Sequence, residues 1–357
     1  MSVLEQIVLW WFLNATWELP VCFICCWLFL RFAPNLAASI RHALWLAALT
    51  LGFLAPFGTL LGLWSDSKTV SSDLGLAVAA RVNGSEAAHL LLLIFAAPAL
   101  YRAFLLFRGG IVARRLTGRA TPVELGTLES VLPQDKFLSI KRHKAKIFSM
   151  PSAASECGPF TCGVRRPFIL IPATLFEPSK RRILVSVLAH ELAHVQRHDM
   201  FLHLLAEIML VPVAYHPFSY WLRSQLAEAR EMACDARVSG PTLPPTDYAR
   251  CLLDVAETLK DPKSPLHALG ISESATLEHR IQALVAFSSL RFRRLSAWNK
   301  SCLLLAAFVL FWVLLSSGRK TFLWVSAVPE PRIRQQKLRV PPPPPPPPPA
   351  TPEIARN

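Results

Sequence analysis

His190 and His194 stand four residues apart in the run His190-Glu191-Leu192-Ala193-His194. On a helix that spacing puts both imidazoles on one face, where they can bind a single zinc ion. Glu191 lies beside the metal position and can take the proton of an attacking water. Zinc brings the pKa of such a water toward about 7 and polarises a carbonyl. The chemistry would be hydrolysis of a peptide bond. Short HExxH strings recur by chance, but the flanks here are apolar, from Ile183 to Ala189 and at Leu192 and Ala193. Two histidines and a glutamate on a buried helix are costly unless they are paired or ligating.

A catalytic zinc takes three protein ligands and keeps one position open. The third is expected from Glu228-Ala229-Arg230-Glu231-Met232-Ala233-Cys234-Asp235. Glu231 can ligate while Asp235, one turn on, accepts the other ring N–H of a zinc histidine and fixes its tautomer. Glu228 is the rival, but the residue four positions after it is Met232. His198 follows His194 by four residues, yet a continuous helix would carry it away from the metal. The spacing assigns no role to Asp199, His203 or His216.

The elements that must position these residues read as mixed α and β. Helical patterns cover residues 180–210, about 218–239 and about 248–260, and short β-like runs at 146–150 and 167–172 surround Gly158, Pro159 and Gly163. The β-like run before the histidine helix can pair with an extended substrate strand.

The rest of the chain is unlike a water-soluble domain. Of 357 residues, 52% are hydrophobic and only 17% charged, against about 25% charged in ordinary soluble domains. Mean hydropathy is +0.36. Four runs are long and apolar enough, or nearly so, to cross a bilayer: residues 7–30, 43–64 (interrupted by Pro56), 87–107 and the shorter 301–317, near which Trp298 and Trp312 suit interfacial positions. Glu18 falls at membrane depth. It is either at a helix end near the interface or a bundle-facing carboxylate. Arg102 can snorkel from the third run.

Arginine placement orients the runs. Arg31 and Arg41 lie between the first two, while the second link mixes Asp66, Lys68, Asp73, Arg81 and Glu86. Arg108, Arg114, Arg115 and Arg119 follow the third run, and Arg291, Arg293, Arg294 and Lys300 precede the fourth. The positive-inside rule then places the N-terminus outside and residues 108–298 in the cytoplasm. The same basic residues explain the formal charge of +14 as helix anchoring at an anionic membrane face. No recognition motif suggests direct nucleic-acid binding. Of the eight cysteines, Cys22, Cys25, Cys26 and Cys302 sit in apolar runs, and Cys157 and Cys162 are the pair close enough to bridge or bind a soft metal. The first apolar run is too long for a cleavable signal peptide. Nine prolines, 341–349, form an extended rod in the tail.

HExxH followed by ExxxD resembles the gluzincin peptidases, and the fuller resemblance is to the integral-membrane BlaR/MecR-type β-lactam sensor-transducers. It covers roughly residues 35–290. It rests on Ile40-Arg41-His42-Ala43-Leu44-Trp45, on Pro159-Phe160-Thr161-Cys162-Gly163 and on Arg166-Pro167-Phe168-Ile169-Leu170-Ile171-Pro172. It also includes the zinc-helix motif, His216-Pro217, Arg230-Glu231-Met232-Ala233-Cys234-Asp235, Tyr248-Ala249 and His279-Arg280-Ile281. The resemblance implies that His190, His194 and Glu231 bind zinc, that Glu191 is the general base, and that the peptidase domain lies in the cytoplasm between helices three and four. The family's antibiotic sensors carry a penicillin-binding domain after the fourth helix. The 40 residues 318–357 hold no S-x-x-K motif, so acylation by a β-lactam is not expected.

The expected fold is therefore a multi-pass α-helical membrane protein of four spans with an inserted α+β gluzincin zinc-peptidase domain. Residues 1–107 would form three spans, 108–298 the cytoplasmic peptidase, 299–317 the fourth span and 318–357 an extracytoplasmic proline-rich tail. The expected function is zinc-dependent cleavage of a protein or peptide substrate at a bacterial-type plasma membrane, in a signalling role such as cleavage of a repressor. The competing readings are a catalytically silent transducer and an envelope interaction protein acting through the proline rod. The intact Glu191 and the complete ligand set argue against both. The spacing leaves the substrate, the activating signal and the oligomeric state open.

Overall fold

A computed structural model describes residues 3–33, 36–66, 86–130, 132–151, 158–240, 242–258 and 271–287. Over these residues the protein is mostly helical, with one small mixed sheet. Three helices are long and apolar enough to cross a membrane: α1 (Val3–Phe32), α2 (Ala38–Asp66) and α3 (Glu86–Arg119). Their candidate spans are Ile7–Phe32, Ala38–Phe57 and His89–Arg119. Pro20, Pro56 and Pro98 all lie inside these helices. Pro56 therefore does not interrupt the second span, because neighbouring helices can re-satisfy the backbone that a proline frees. The fourth expected span, the proline run, Cys157 and Cys302 lie outside the described residues.

α1 and α2 cross closely at Gly52, where a Cβ would stand 2.9 Å from Leu19 Cδ1 and 3.4 Å from its Cα. A small residue at such a crossing is how membrane helices gain backbone approach. Glu18 is fully buried, and neither carboxylate oxygen has a hydrogen-bond partner among the described residues. Of its two readings, the structure gives the bundle-facing one. Arg102 does not snorkel, because its Nη2 pairs with Glu207 Oε2 at 2.6 Å.

The chain then forms β1 (Thr121–Pro122), α4 (Leu125–Glu129), α5 (Gln134–His143), β2 (Lys146–Met150), β3 (Phe160–Cys162) and β4 (Phe168–Pro172). The sheet order is β1-β2-β4-β3, with β2 parallel to β4 and β3 antiparallel to it at the edge. Gly163 turns the chain between β3 and β4 at φ +90, where a Cβ would collide with the Arg166 carbonyl. Ile147, Ile169 and Ile171 pack against Leu184, Val187, Leu188 and Leu192 of α6 (Arg181–Arg197). Two short 3₁₀ turns, Ala173–Phe176 and Pro178–Lys180, lead into that helix.

The single helical run expected over residues 180–210 is two helices. α6 ends at Arg197, His198 adopts a left-handed conformation (φ 56, ψ 33), and α7 (Asp199–Leu210) starts in a new direction. The break is held by Asp199, which receives hydrogen bonds from the side chains of Arg197 and His194. α8 (Pro217–Val238) and α9 (Pro245–Thr258) correspond to the other two helical patterns, and α10 (Ile271–Phe287) follows. α8 packs on α1 and α2. Its Leu222, Leu226 and Ala229 share one buried cluster with Leu19, Trp45 and Leu49.

Candidate metal centre

α6 and α8 bring the expected residues to one place. His190 Nε2 is 3.3 Å from Glu231 Oε2, and His194 Nε2 is 3.8 Å from Glu231 Oε1. The two imidazoles sit with ring centroids 4.8 Å apart at 89°. One donor atom from each of the three residues falls within a 4.8 Å set. Ligands at about 2.0–2.1 Å from a tetrahedral ion stand about 3.3 Å apart, so two imidazole nitrogens and a carboxylate at these separations fit one zinc.

The other ring nitrogens explain why both Nε2 atoms are available. His194 Nδ1 lies 2.9 Å from Asp199 Oδ2, so this nitrogen carries the proton and donates it. His190 Nδ1 lies 2.9 Å from the Tyr248 hydroxyl, which itself donates to Asp235 Oδ1 at 2.7 Å. Asp235 is also 3.3 Å from His190 Nδ1 directly. Arg280 locks that carboxylate from behind, with Nε to Oδ2 at 2.7 Å and Nη2 to Oδ1 at 2.8 Å. The relay His190–Tyr248–Asp235–Arg280 joins α6, α9, α8 and α10.

The electrostatics follow from these partners. Burial alone would raise the Asp235 carboxyl, but the Arg280 guanidinium more than reverses it and holds Asp235 below the usual carboxylate range. Burial would likewise raise Asp199, and hydrogen bonds from His194 and Arg197 bring it down to about 2. Partial burial would raise Glu231, yet His190 and His194 hold it well below its ordinary value. Burial disfavours charge on His190, and the hydrogen bonds to Asp235 and Glu231 overcome this and lift it to about 9. The carboxylates that favour a proton on His190 would equally favour a metal cation in the proton's place.

Glu191 faces the same cavity. Thr161 of β3 donates to Glu191 Oε2 at 2.7 Å, which ties the edge strand to the helix. The cavity, of about 390 Å³, is lined on one side by Phe160 and Thr161 and on the other by Met200, Arg230, Tyr248 and Leu252.

Other candidates fall elsewhere. Glu228 is engaged by His279 at 3.2 Å and Gln225 at 3.4 Å, and it does not line the cavity. His198 forms the helix corner, and His216 caps α8 by accepting from the Phe218 N–H. His203 lines the cavity wall. A second cluster, His194, Asp199 and Cys234, is close enough to hold an ion. Burial and the adjacent Asp199 push the Cys234 thiol far up, however, and its S–H donates to Asp199. This cluster supports His194 from behind rather than forming a site of its own.

Spacing alone missed Asp199, Tyr248, Arg280 and Thr161. Asp199 is five residues from His194 and reaches it only because His198 breaks the helix. Tyr248, Arg280 and Thr161 stood in motifs that matched the resemblance, so their presence was visible although their partners were not.

No curated protein sequence matches the chain. The family model described as BlaR1 peptidase M56 matches residues 10–284. That stretch runs from within the first candidate span through the whole relay to the last turn of α10. Its agreement with the BlaR/MecR-type motifs shows that the chain belongs to the BlaR1 peptidase M56 family, a family of membrane-associated metallopeptidases.

Proposed function

We propose that the chain is a zinc-dependent endopeptidase in which His190, His194 and Glu231 hold the metal and Glu191 is the general base. The observation that carries this reading is the meeting of two Nε2 atoms, the Glu231 carboxylate and the Thr161-held Glu191 in one cavity. Zinc, when bound there, supplies a Lewis acid that polarises the scissile carbonyl and brings the pKa of water near neutrality.

Glu191 takes the proton of the attacking water and returns it to the departing amine. Thr161 occupies Oε2, so Oε1 receives the proton. Asp199 and the Tyr248–Asp235 pair hold both imidazoles in the tautomer that ligates. Arg280 keeps Asp235 ionised throughout. β3 is the outer strand of its sheet and carries Thr161 against Glu191. An extended peptide added to that edge would run past the base.

The same reading extends to the whole chain. Residues 1–107 form three spans, 108–298 the inserted catalytic region, 299–317 a fourth span and 318–357 an extracytoplasmic tail. Supporting this are the arginine clusters at 108–119 and 291–300. The catalytic region then faces the cytoplasm of a bacterial-type cell and acts on a regulatory protein such as a repressor. Reporters fused after residue 150 and after residue 345 are expected to read inside and outside, respectively. An inside signal at 345 would remove the fourth span.

The purified full chain is expected to carry about one zinc, since one open tetrahedral site binds one ion. A chelator should abolish peptide hydrolysis, and added zinc should restore it. Elemental analysis finding no zinc in active protein would overturn the reading.

A further inference from the structure

Residues 200–222 carry a single formal charge, Glu207, with their histidines neutral. The stretch forms α7, a turn and the start of α8, so it is a helical hairpin whose base lies beside the metal centre. Pro212 and Pro217 break it into pieces too short to read as a span.

The contacts of the hairpin give its depth. At the tip, the Tyr215 hydroxyl donates to the Phe12 carbonyl at 2.8 Å, and the Tyr215 ring lies 4.6 Å from that of Phe95. Phe12 is five residues into the span Ile7–Phe32, and Phe95 is six into His89–Arg119. At a rise of 1.5 Å per residue both are about 8–9 Å from the start of their spans. Further down the hairpin, Glu207 meets Arg102, thirteen residues into the third span. On α8, Phe218 and Trp221 meet Phe23, sixteen residues into the first. Those levels are about 20 and 24 Å along. The first and third spans of a three-span bundle start on the same side, so the two rulers agree. The hairpin enters where those spans end and reaches most of the way across a hydrocarbon core of about 30 Å.

Its chemistry suits that depth. Glu207 is buried and receives both Arg102 at 2.6 Å and Arg223 at 2.8 Å, the pairing an intramembrane charge requires. The turn meets its own backbone needs, with Val211 N–H donating to Ile208, Ala214 N–H to Val211 and His216 N–H to Val213. The face turned away from the spans is apolar and open, with Phe201 50%, Ile208 52% and Tyr220 56% exposed.

We infer that α7 and the first turns of α8 form a re-entrant membrane hairpin whose outer face is covered by lipid acyl chains. Met200 and His203, in the first two turns of α7, line the peptidase cavity. The cavity therefore opens at the membrane boundary, and substrate is met there.

The test is photo-crosslinking of the full chain in native membranes. The photoreactive p-benzoylphenylalanine replaces Ile208 or Tyr220, one at a time, and Leu138 of α5 (55% exposed) serves as the control. After irradiation the mass of the chain is read. Phospholipid adducts at 208 and 220 are expected on the order of tenfold above the control, because only lipid-facing side chains contact acyl chains. Adduct yields equal to the control at either position would overturn the inference. So would a crosslink at either position to the chain itself, to a second copy or to another protein. Neither readout depends on peptidase activity.

Discussion

Glu191→Gln is expected to leave zinc in place and to lower peptide-bond hydrolysis by about 10²–10⁴-fold, the usual range for a lost general base. Gln keeps the shape of the side chain and can still accept from Thr161, which now stands 2.7 Å from Oε2. It cannot take a proton. Glu191 is not among the three converging donors, so the metal set is untouched. Elemental analysis of the variant and mass-spectrometric digestion of a peptide library supply the two readouts. Hydrolysis at the wild-type rate would show that the base lies elsewhere. Loss of zinc would make Glu191 a ligand.

Replacing the third ligand should act on the metal itself. Glu231→Ala is expected to empty the site and abolish hydrolysis, whereas Glu228→Ala should retain zinc, because its carboxylate is turned to His279 and Gln225. Asp199→Asn and Asp235→Asn are expected to weaken zinc binding by about 10–100-fold each, through the imidazoles they orient. Each variant also takes a carboxylate from a buried arginine, Arg197 beside Asp199 and Arg280 beside Asp235, so both should unfold at lower temperature than the wild type. Zinc retained by Glu231→Ala and lost by Glu228→Ala would move the ligand by one turn.

The ligand helices were legible because their signals are local. His190 and His194 lie one turn apart, as do Glu231 and Asp235, and apolar flanks marked both helices as buried. The three spans described were legible from length and composition. The break at His198 was not, since it depends on Asp199 folding back onto His194 and Arg197, a contact across a corner. The Tyr248 relay was not, since it joins residues 58 positions apart. The hairpin escaped because its apolar residues are divided by two prolines. Hydropathy rewards unbroken runs, whereas what places this segment among the spans is the fit of Tyr215 between Phe12 and Phe95.

The buried cluster in which Leu222, Leu226 and Ala229 of α8 meet Leu19, Trp45 and Leu49 has a thermodynamic consequence. The helix that supplies Glu231 is seated by the same packing that holds α1 to α2. Any ligand that binds only the folded state stabilises it by RT ln(1 + [L]/Kd), about 4.1 kcal/mol at a thousandfold excess over Kd. Because the metal-bearing helix and the first two spans share one core, that gain is distributed over both. A metal held by that helix would then be a cohesive element of the bundle as well as the centre of the proposed chemistry. Reciprocally, a detergent or lipid that loosens α1 from α2 would lower the affinity for such a metal.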